Sequence, residues 1–292
     1  MTDSHWDVIV IGGGAAGLMC AYVAGRRDRR VLLLEHNADV GRKILISGGG
    51  RCNFTNLNAG PENFVSANPH FAKSALARYS PQDFLALVEA HGIAWYEKKL
   101  GQLFCQSSAQ QIVDLLLHEC KAARVQIQTA SKVVSVQKNE AGFVVKSESA
   151  SYRSKSLVLA CGGLSIPKIG ATDLGYRLLR QFGHDLVPTR PGLVPLTWQP
   201  QDQFLSELRG VALDSRVSHP EASFRENTLF AHFGLSGPAI LQISNYWQPG
   251  EPLEIDFLPD TDFEDWLKQA AAMAPEQHLS NALKSLLPAR WL

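Results

Sequence analysis

Net charge is missing from this sequence: 28 Lys and Arg face 28 Asp and Glu. A neutral chain gives no electrostatic case for nucleic acid or an anionic membrane as its main partner. Paired cysteines are missing too. Cys20, Cys52, Cys105, Cys120 and Cys161 form no CxxC, so neither a zinc site nor a local redox dithiol is indicated. An odd count with no secretion signal predicts reduced thiols and a cytoplasmic location. No GxSxG, HExxH or P-loop occurs, which leaves hydrolase and kinase chemistry without support. Repeats and low-complexity segments are absent. The apolar stretch Val8 to Ala24 is broken by three consecutive glycines and has no basic leader, so it reads as neither signal peptide nor membrane span. Apolar residues are 45% and charged residues 19%, enough for a sizeable core in one large or two ordinary domains.

What is present starts at Gly12-Gly13-Gly14-Ala15-Ala16-Gly17, directly after the apolar run Val8-Ile9-Val10-Ile11. Read as GxGxxG, it is a dinucleotide-binding fingerprint. Its surroundings agree with that reading: a β-branched strand precedes it, an Ala-rich helix from Ala15 to Ala24 follows, and a second strand, Val31 to Leu34, ends in Glu35. The acid falls at about the twenty-residue offset of a carboxylate that holds an adenosine ribose. Gly12 lets the chain turn out of the strand. Gly14 lets a pyrophosphate approach the backbone, and Gly17 lets the helix pack on the sheet. The helix N-terminus offers unpaired N–H groups and a positive dipole end. The charge of Glu35 would repel a 2′-phosphate, which favours FAD or NAD over NADP.

The segment Gly41-Arg42-Lys43, continuing through Ser47-Gly48-Gly49-Gly50-Arg51-Cys52-Asn53, reads as a second glycine-rich loop. Each glycine costs backbone entropy, and close approach to a flat ring or phosphate would offset that cost. Arg42, Lys43 and Arg51 can neutralise phosphate or a reduced-flavin anion.

Downstream, Ser80 caps a helix that starts at Pro81 and stops at Gly92, and a further helix covers Ser108 to Cys120. Residues 125–127, 132–136 and 142–145 read as a β-meander, with a turn at residues 139–142. Leu157 to Ala160 reads as a buried strand. The Cys161-Gly162-Gly163 that follows suits equally a turn beside a cofactor and an ordinary strand end. Asp173 opens a helix that runs to Phe182. Three prolines between Pro188 and Pro195 mark a domain boundary. Strand-like runs follow at 210–217, 228–233 and 253–257, then helices near 262–272 and 276–286. Arg26-Arg27-Asp28-Arg29-Arg30 reads as a solvated helix end rather than a nucleic-acid patch. His232 reads as a hydrogen-bonded structural residue, Cys52 as inert packing, and Ser236 as the N-cap of a helix.

Together, Val10 to Gly17, Gly41-Arg42-Lys43, Ser47 to Asn53, Leu159-Ala160-Cys161-Gly162-Gly163 and His232-Phe233-Gly234-Leu235-Ser236-Gly237-Pro238 resemble the BaiN-like NAD(P)/FAD-dependent oxidoreductases, also known as the aminoacetone oxidase family of FAD-binding enzymes. The resemblance runs along essentially the whole chain. It implies an α/β fold: a Rossmann-type FAD-binding domain over residues 1–191, an inserted β-rich, barrel-like domain over 192–260 and a small helical piece over 261–292. It implies a flavoenzyme that moves hydride or electrons between NAD(P)H or an organic substrate and an acceptor, with FAD as cofactor, NAD(P)H as candidate donor and a small molecule as substrate. No nucleic acid, membrane or metal is expected.

Carried over by motif, Gly12, Gly14, Ala15, Ala16 and Gly17 would hold the pyrophosphate and Glu35 the ribose. Gly41, Arg42, Lys43, Ser47, Gly48, Gly49, Gly50, Arg51, Cys52 and Asn53 would line the flavin side. Val133 would meet adenine, and Ala160, Cys161 and Gly162 would form the turn beside the cofactor. Cys161 stands where many relatives have Thr. Chains of this family continue well past the position of Leu292 and bring back a glycine-rich stretch and a helix against the flavin. The alternative is therefore a truncated, non-catalytic fragment with weak or no FAD binding. A flavoprotein acting on tRNA is a third reading, drawn only from the shared Rossmann signal.

Overall fold

A computed structural model describes residues 5–292. The chain forms two compact units, divided between Val187 and Pro188.

The first unit is built on a six-stranded sheet. Its elements in chain order are β1 (His5–Ile11), α1 (Ala15–Gly25), β2 (Val31–Leu34), α2 (Arg42–Ile46), β3 (Asn53–Asn56), α3 (Lys73–Arg78), α4 (Pro81–Ala90), β4 (Trp95–Glu97), β5 (Gln102–Cys105), α5 (Gln110–Ala122), β6 (Gln126–Gln128), β7 (Val133–Asn139), β8 (Gly142–Ser147), β9 (Ser151–Leu159) and α6 (Leu174–Gln181). The strand order is β6-β2-β1-β9-β8-β7. The first four strands run parallel, and β8 and β7 add an antiparallel edge. β3, β5 and β4 make a separate small sheet.

Period-two alternation sets the core. Val10, Val31 and Leu33 face α1 and α5. Ile9, Ile11, Leu32 and Leu34 face the opposite side, with Val136, Val145 and Leu178. All of β2 is buried, as expected of a central parallel strand covered on both faces. Parallel strands need crossovers, and α1 supplies the one between β1 and β2.

The sequence predicts residues 125–127 in a meander with β7. Instead β6 pairs parallel with β2, at the sheet edge opposite β7. It follows α5, so it enters as a crossover strand, and a three-residue strand, Gln126-Ile127-Gln128, carries no sign of its partner. The meander proper is β7-β8-β9, and its turn falls at 139–142 as expected. Ser80 caps α4 reciprocally with Asp83: the Ser80 N–H donates to Asp83 Oδ2 at 2.7 Å, and the Asp83 N–H donates to Ser80 Oγ at 3.2 Å.

The second unit contains β10 (Leu196–Thr197), β11 (Ala212–His219), β12 (Ala222–Ala231), β13 (Gly234–Ser236), α7 (Pro238–Ile243), β14 (Glu254–Asp256), α8 (Phe263–Met273) and α9 (Leu279–Leu283). Its antiparallel sheet has the order β10-β13-β12-β11-β14. Val217 packs there with Ala239, Ile240 and Ile243 of α7. Ser236 does not cap α7. It ends β13, paired with Leu229, and Gly237 takes the cap position without a side-chain hydrogen bond. Among the described residues no helix is long and apolar enough to cross a membrane.

Candidate functional site

A cavity of about 970 Å³ opens in the first unit, where the carboxyl ends of β1, β2 and β9 meet the N-terminus of α1. This is the crevice in which parallel α/β sheets hold their ligands.

The fingerprint glycines divide the work. Gly12 has φ +112°, and a Cβ there would run into the carbonyl oxygen of Ala160 on the strand beside it. A Cβ on Gly17 would run into the carbonyl oxygen of Gly12. Both glycines are required by the protein's own packing. Gly14 differs: its backbone is extended and a Cβ would meet no atom of the described residues within 4 Å. Protein packing gives no reason for glycine at that position. It lines the cavity at the head of an eleven-residue helix, whose first N–H groups have no intrahelical partner. That is a cradle a side chain would fill and a phosphate can occupy.

Glu35 is buried at the end of β2. Its Oε2 accepts the Gly13 N–H at 2.7 Å. Its Oε1 accepts the Asn37 backbone N–H and side-chain amide, each at 2.8 Å, and His36 Nδ1 lies 3.1 Å away. Oε1 is saturated, whereas Oε2 keeps one lone pair for a ligand hydroxyl. Opposite, the Ser131 N–H donates to the Glu35 carbonyl, and the buried Ser131 hydroxyl has no partner among the described residues. Ser131, Lys132 and Val133 line the wall there.

Among the described residues, four cations line the cavity. Lys132 is paired with Glu148 at 3.1 Å and Arg177 with Asp173 at 2.9 Å. Arg42 instead donates to the Asn37 side-chain oxygen at 2.6 Å, and Lys43 to the Ser165 hydroxyl at 2.7 Å. These neutral partners leave both charges available to an anion. Cys52 and Cys161 also line the wall. Burial pushes both thiols up, only partly offset for Cys52 by the Ser47 hydroxyl and for Cys161 by backbone hydrogen bonds. Both therefore stay protonated at neutral pH.

Of the residues the sequence singled out, Gly12, Gly14, Ala15, Ala16, Glu35, Gly41, Arg42, Lys43, Ser47, Cys52, Asn53, Val133, Ala160, Cys161 and Gly162 converge on this cavity. Gly17, Gly48, Gly49, Gly50 and Arg51 do not line it. Gly17 lies behind the turn, and Arg51 reaches away to the carbonyl of Gln106 at 3.0 Å. The expected second loop is in fact the short helix α2 followed by left-handed turns at Gly48, Gly49 and Gly50. A Cβ on Gly48 would press on the Phe104 ring at 2.8 Å, so that glycine serves packing against β5.

Sequence reasoning missed Asn37, Ser131 and the aromatic wall of Phe54, Tyr79 and Phe84. Only Asn37, two residues beyond Glu35, carried a local signal. Although Tyr79 is 37% exposed as a whole residue, loss of water around its hydroxyl raises it to about 12, with Tyr22 and Asp83 adding to the effect, so it is a hydrogen-bond donor at neutral pH.

Two family models cover the chain: the HI0933-like protein Rossmann domain over residues 6–237 and the HI0933-like protein barrel and H2TH domain over 190–292. The chain belongs to the HI0933-like family. It is 52% identical over 288 residues to a ribosomal RNA dihydrouridine synthase of Escherichia coli K12, spanning 98% of this chain and 72% of that protein. A protein of the same name from Haemophilus influenzae is 45% identical, over 98% of this chain and 73% of its own length. The 3-dehydro-bile acid delta(4,6)-reductase of Clostridium scindens is 29% identical over 87% of this chain and 64% of that one. The more similar relatives are thus named for RNA modification, a narrower activity than the BaiN-like resemblance implied. An open-conformation flavocytochrome c3 fumarate reductase shares the fold, with TM-score 0.50 and 20% identity over 72% of this chain and 47% of that one.

Proposed function

We infer that this HI0933-like chain holds FAD in the cavity and reduces a uridine of ribosomal RNA to dihydrouridine. The observation that carries this reading is 52% identity to a protein of that name along 98% of the chain. It departs from the expectation, drawn from the neutral charge, that nucleic acid is not a main partner.

The residues present fit the cofactor. Gly14 and the N-terminus of α1 would receive the pyrophosphate, the spare lone pair of Glu35 a ribose hydroxyl, and the wall at Val133 the adenine. The Ser131 hydroxyl, without a partner among the described residues, gives that wall a polar group able to bond a ligand. When bound, FAD supplies a two-electron hydride carrier, with NAD(P)H as the proposed electron source. The protein's own share is orientation, charge and protons. Arg42 and Lys43 supply positive charge at the rim. Reducing the C5–C6 bond also consumes a proton, and the protonated Cys52, Cys161 and Tyr79 groups are candidate donors among the proton-bearing side chains of the wall.

The test incubates the chain with FAD, NADPH and unmodified ribosomal RNA, then digests the RNA for nucleoside mass spectrometry. A bound yellow chromophore and dihydrouridine are expected. A chromophore without dihydrouridine would favour the second reading, a small-molecule reductase, which rests on the 29% identity to the bile-acid enzyme. A colourless protein that ignores FAD would sink both.

A further inference from the structure

Overall neutrality hides an uneven distribution. Residues 1–187 carry 21 Lys and Arg against 15 Asp and Glu, while residues 188–292 carry 7 against 13. Much of the positive excess gathers at one place in the first unit, the end of the parallel sheet away from the cavity. There α1 ends at Gly25 and α5 at Ala122. The two helix ends abut: a Cβ on Gly25 would sit 2.6 Å from the Ala123 carbonyl oxygen and 3.2 Å from Val125 Cγ2. Each segment then turns through a left-handed residue, Asp28 at φ 58° and Arg124 at φ 57°. The result brings Arg26, Arg27, Arg29 and Arg30 together with Lys121 and Arg124, all exposed.

Counter-charge on this surface is scarce. Asp28 lies inside the run. Asp7 accepts the Arg30 N–H at 3.0 Å and pairs with Lys155 at 3.1 Å. Glu119 is engaged by His91 at 3.0 Å. Among the described residues, no ion pair joins Arg26, Arg27, Arg29, Lys121 or Arg124 to a carboxylate. Helix dipoles explain only part of this, since compensation acts within the last turn and Arg27, Arg29 and Arg30 lie beyond it. Gathered like charges repel one another, and a polyanion relieves that cost.

The geometry points to this surface as an anchoring face for the phosphodiester backbone of RNA, at the pole opposite the cofactor cavity. The inference rests on the ribosomal RNA reading above. α1 joins the two poles, and its eleven residues span about 16 Å, so one folded RNA can touch both. The acidic second unit offers no comparable excess of positive charge, which leaves phosphate contact to the Rossmann unit.

The experiment measures binding of deproteinised ribosomal RNA to the 292-residue chain between about 50 and 200 mM salt. The patch variant is R26Q/R27Q/R29Q/R124Q. The control, K73Q/K138Q/K146Q/R180Q, removes equal charge elsewhere on the same unit. The patch variant is expected to lose about tenfold or more in affinity at low salt and about 3 in the slope of log affinity against log salt. The control should lose far less, and both should keep wild-type FAD uptake and melting temperature. If wild-type chain binds RNA and the patch variant matches its affinity and slope, the anchoring face is overturned and the RNA reading survives. If wild-type chain binds no RNA, the RNA reading itself fails and this inference falls with it. Patch-dependent binding to phosphatidylglycerol vesicles, with RNA binding unaffected, overturns it in favour of a membrane surface.

Discussion

At Gly14 and Gly17 the same residue type meets opposite constraints. Gly17→Ala drives a methyl into the Gly12 carbonyl and should cost about 3 kcal/mol in urea unfolding. Gly14→Ser puts a favoured N-cap residue where nothing in the protein obstructs it. Its stability should equal or exceed wild type, while FAD affinity by fluorescence titration should fall about tenfold or more, as expected when a side chain displaces a bound phosphate. Unchanged affinity would remove Gly14 from the cofactor site. Glu35→Gln can keep its oxygen on the two Asn37 donors but then turns its NH2 toward the Gly13 N–H, and should cost about 1–3 kcal/mol even without ligand. Gly12, Gly14, Gly17 and Glu35 were legible because their spacing encodes a local turn. Ser131 and Tyr79 were not, because each reaches the cavity from a distant segment; the Ser131 N–H meets the Glu35 carbonyl across 96 residues.

Elements differ in how much of their cause is local. The start of α4 was readable because Ser80, Pro81 and Asp83 are signals within four residues, and Ser80→Ala should cost about 1 kcal/mol, visible as a lower urea midpoint. The opening βαβ unit was readable for the same reason. β6 went to the wrong partner because three residues hold no register information, and its parallel pairing with β2 depends on the α5 crossover. The stretch after Gly41 looked like loop because glycine dominates Gly48 to Gly50, yet Arg42 to Ile46 contains none and closes a helical turn. The small β3-β5-β4 sheet escaped notice because its strands are only three or four residues long.

For the whole molecule, buried thiols set an alkaline limit. Burial raises Cys105 and Cys120 from 9.0 to about 11, helped by neighbouring Cys52 and Glu119 respectively. Below pH 9 both folded and unfolded chains keep these protons. Above it the unfolded thiols ionise first, so stability should fall by up to about 1.4 kcal/mol per pH unit per thiol and level off beyond pH 11. Urea midpoints across pH 8–11 would check this, and a flat profile would contradict it. The total charge was legible and its segregation was not, because a sum over the chain erases where the folded units divide. β1 pairs with β9, and Cys161 donates to the Ile11 carbonyl across 150 residues. During synthesis, then, the apolar run Val8–Ile11 has β2 on one edge and nothing on the other until β9 is made. The cofactor cradle, whose floor includes Ala160, cannot exist before that moment. Nascent chains shorter than β9 would present an unpaired apolar strand edge, the kind of surface that aggregates or recruits a chaperone.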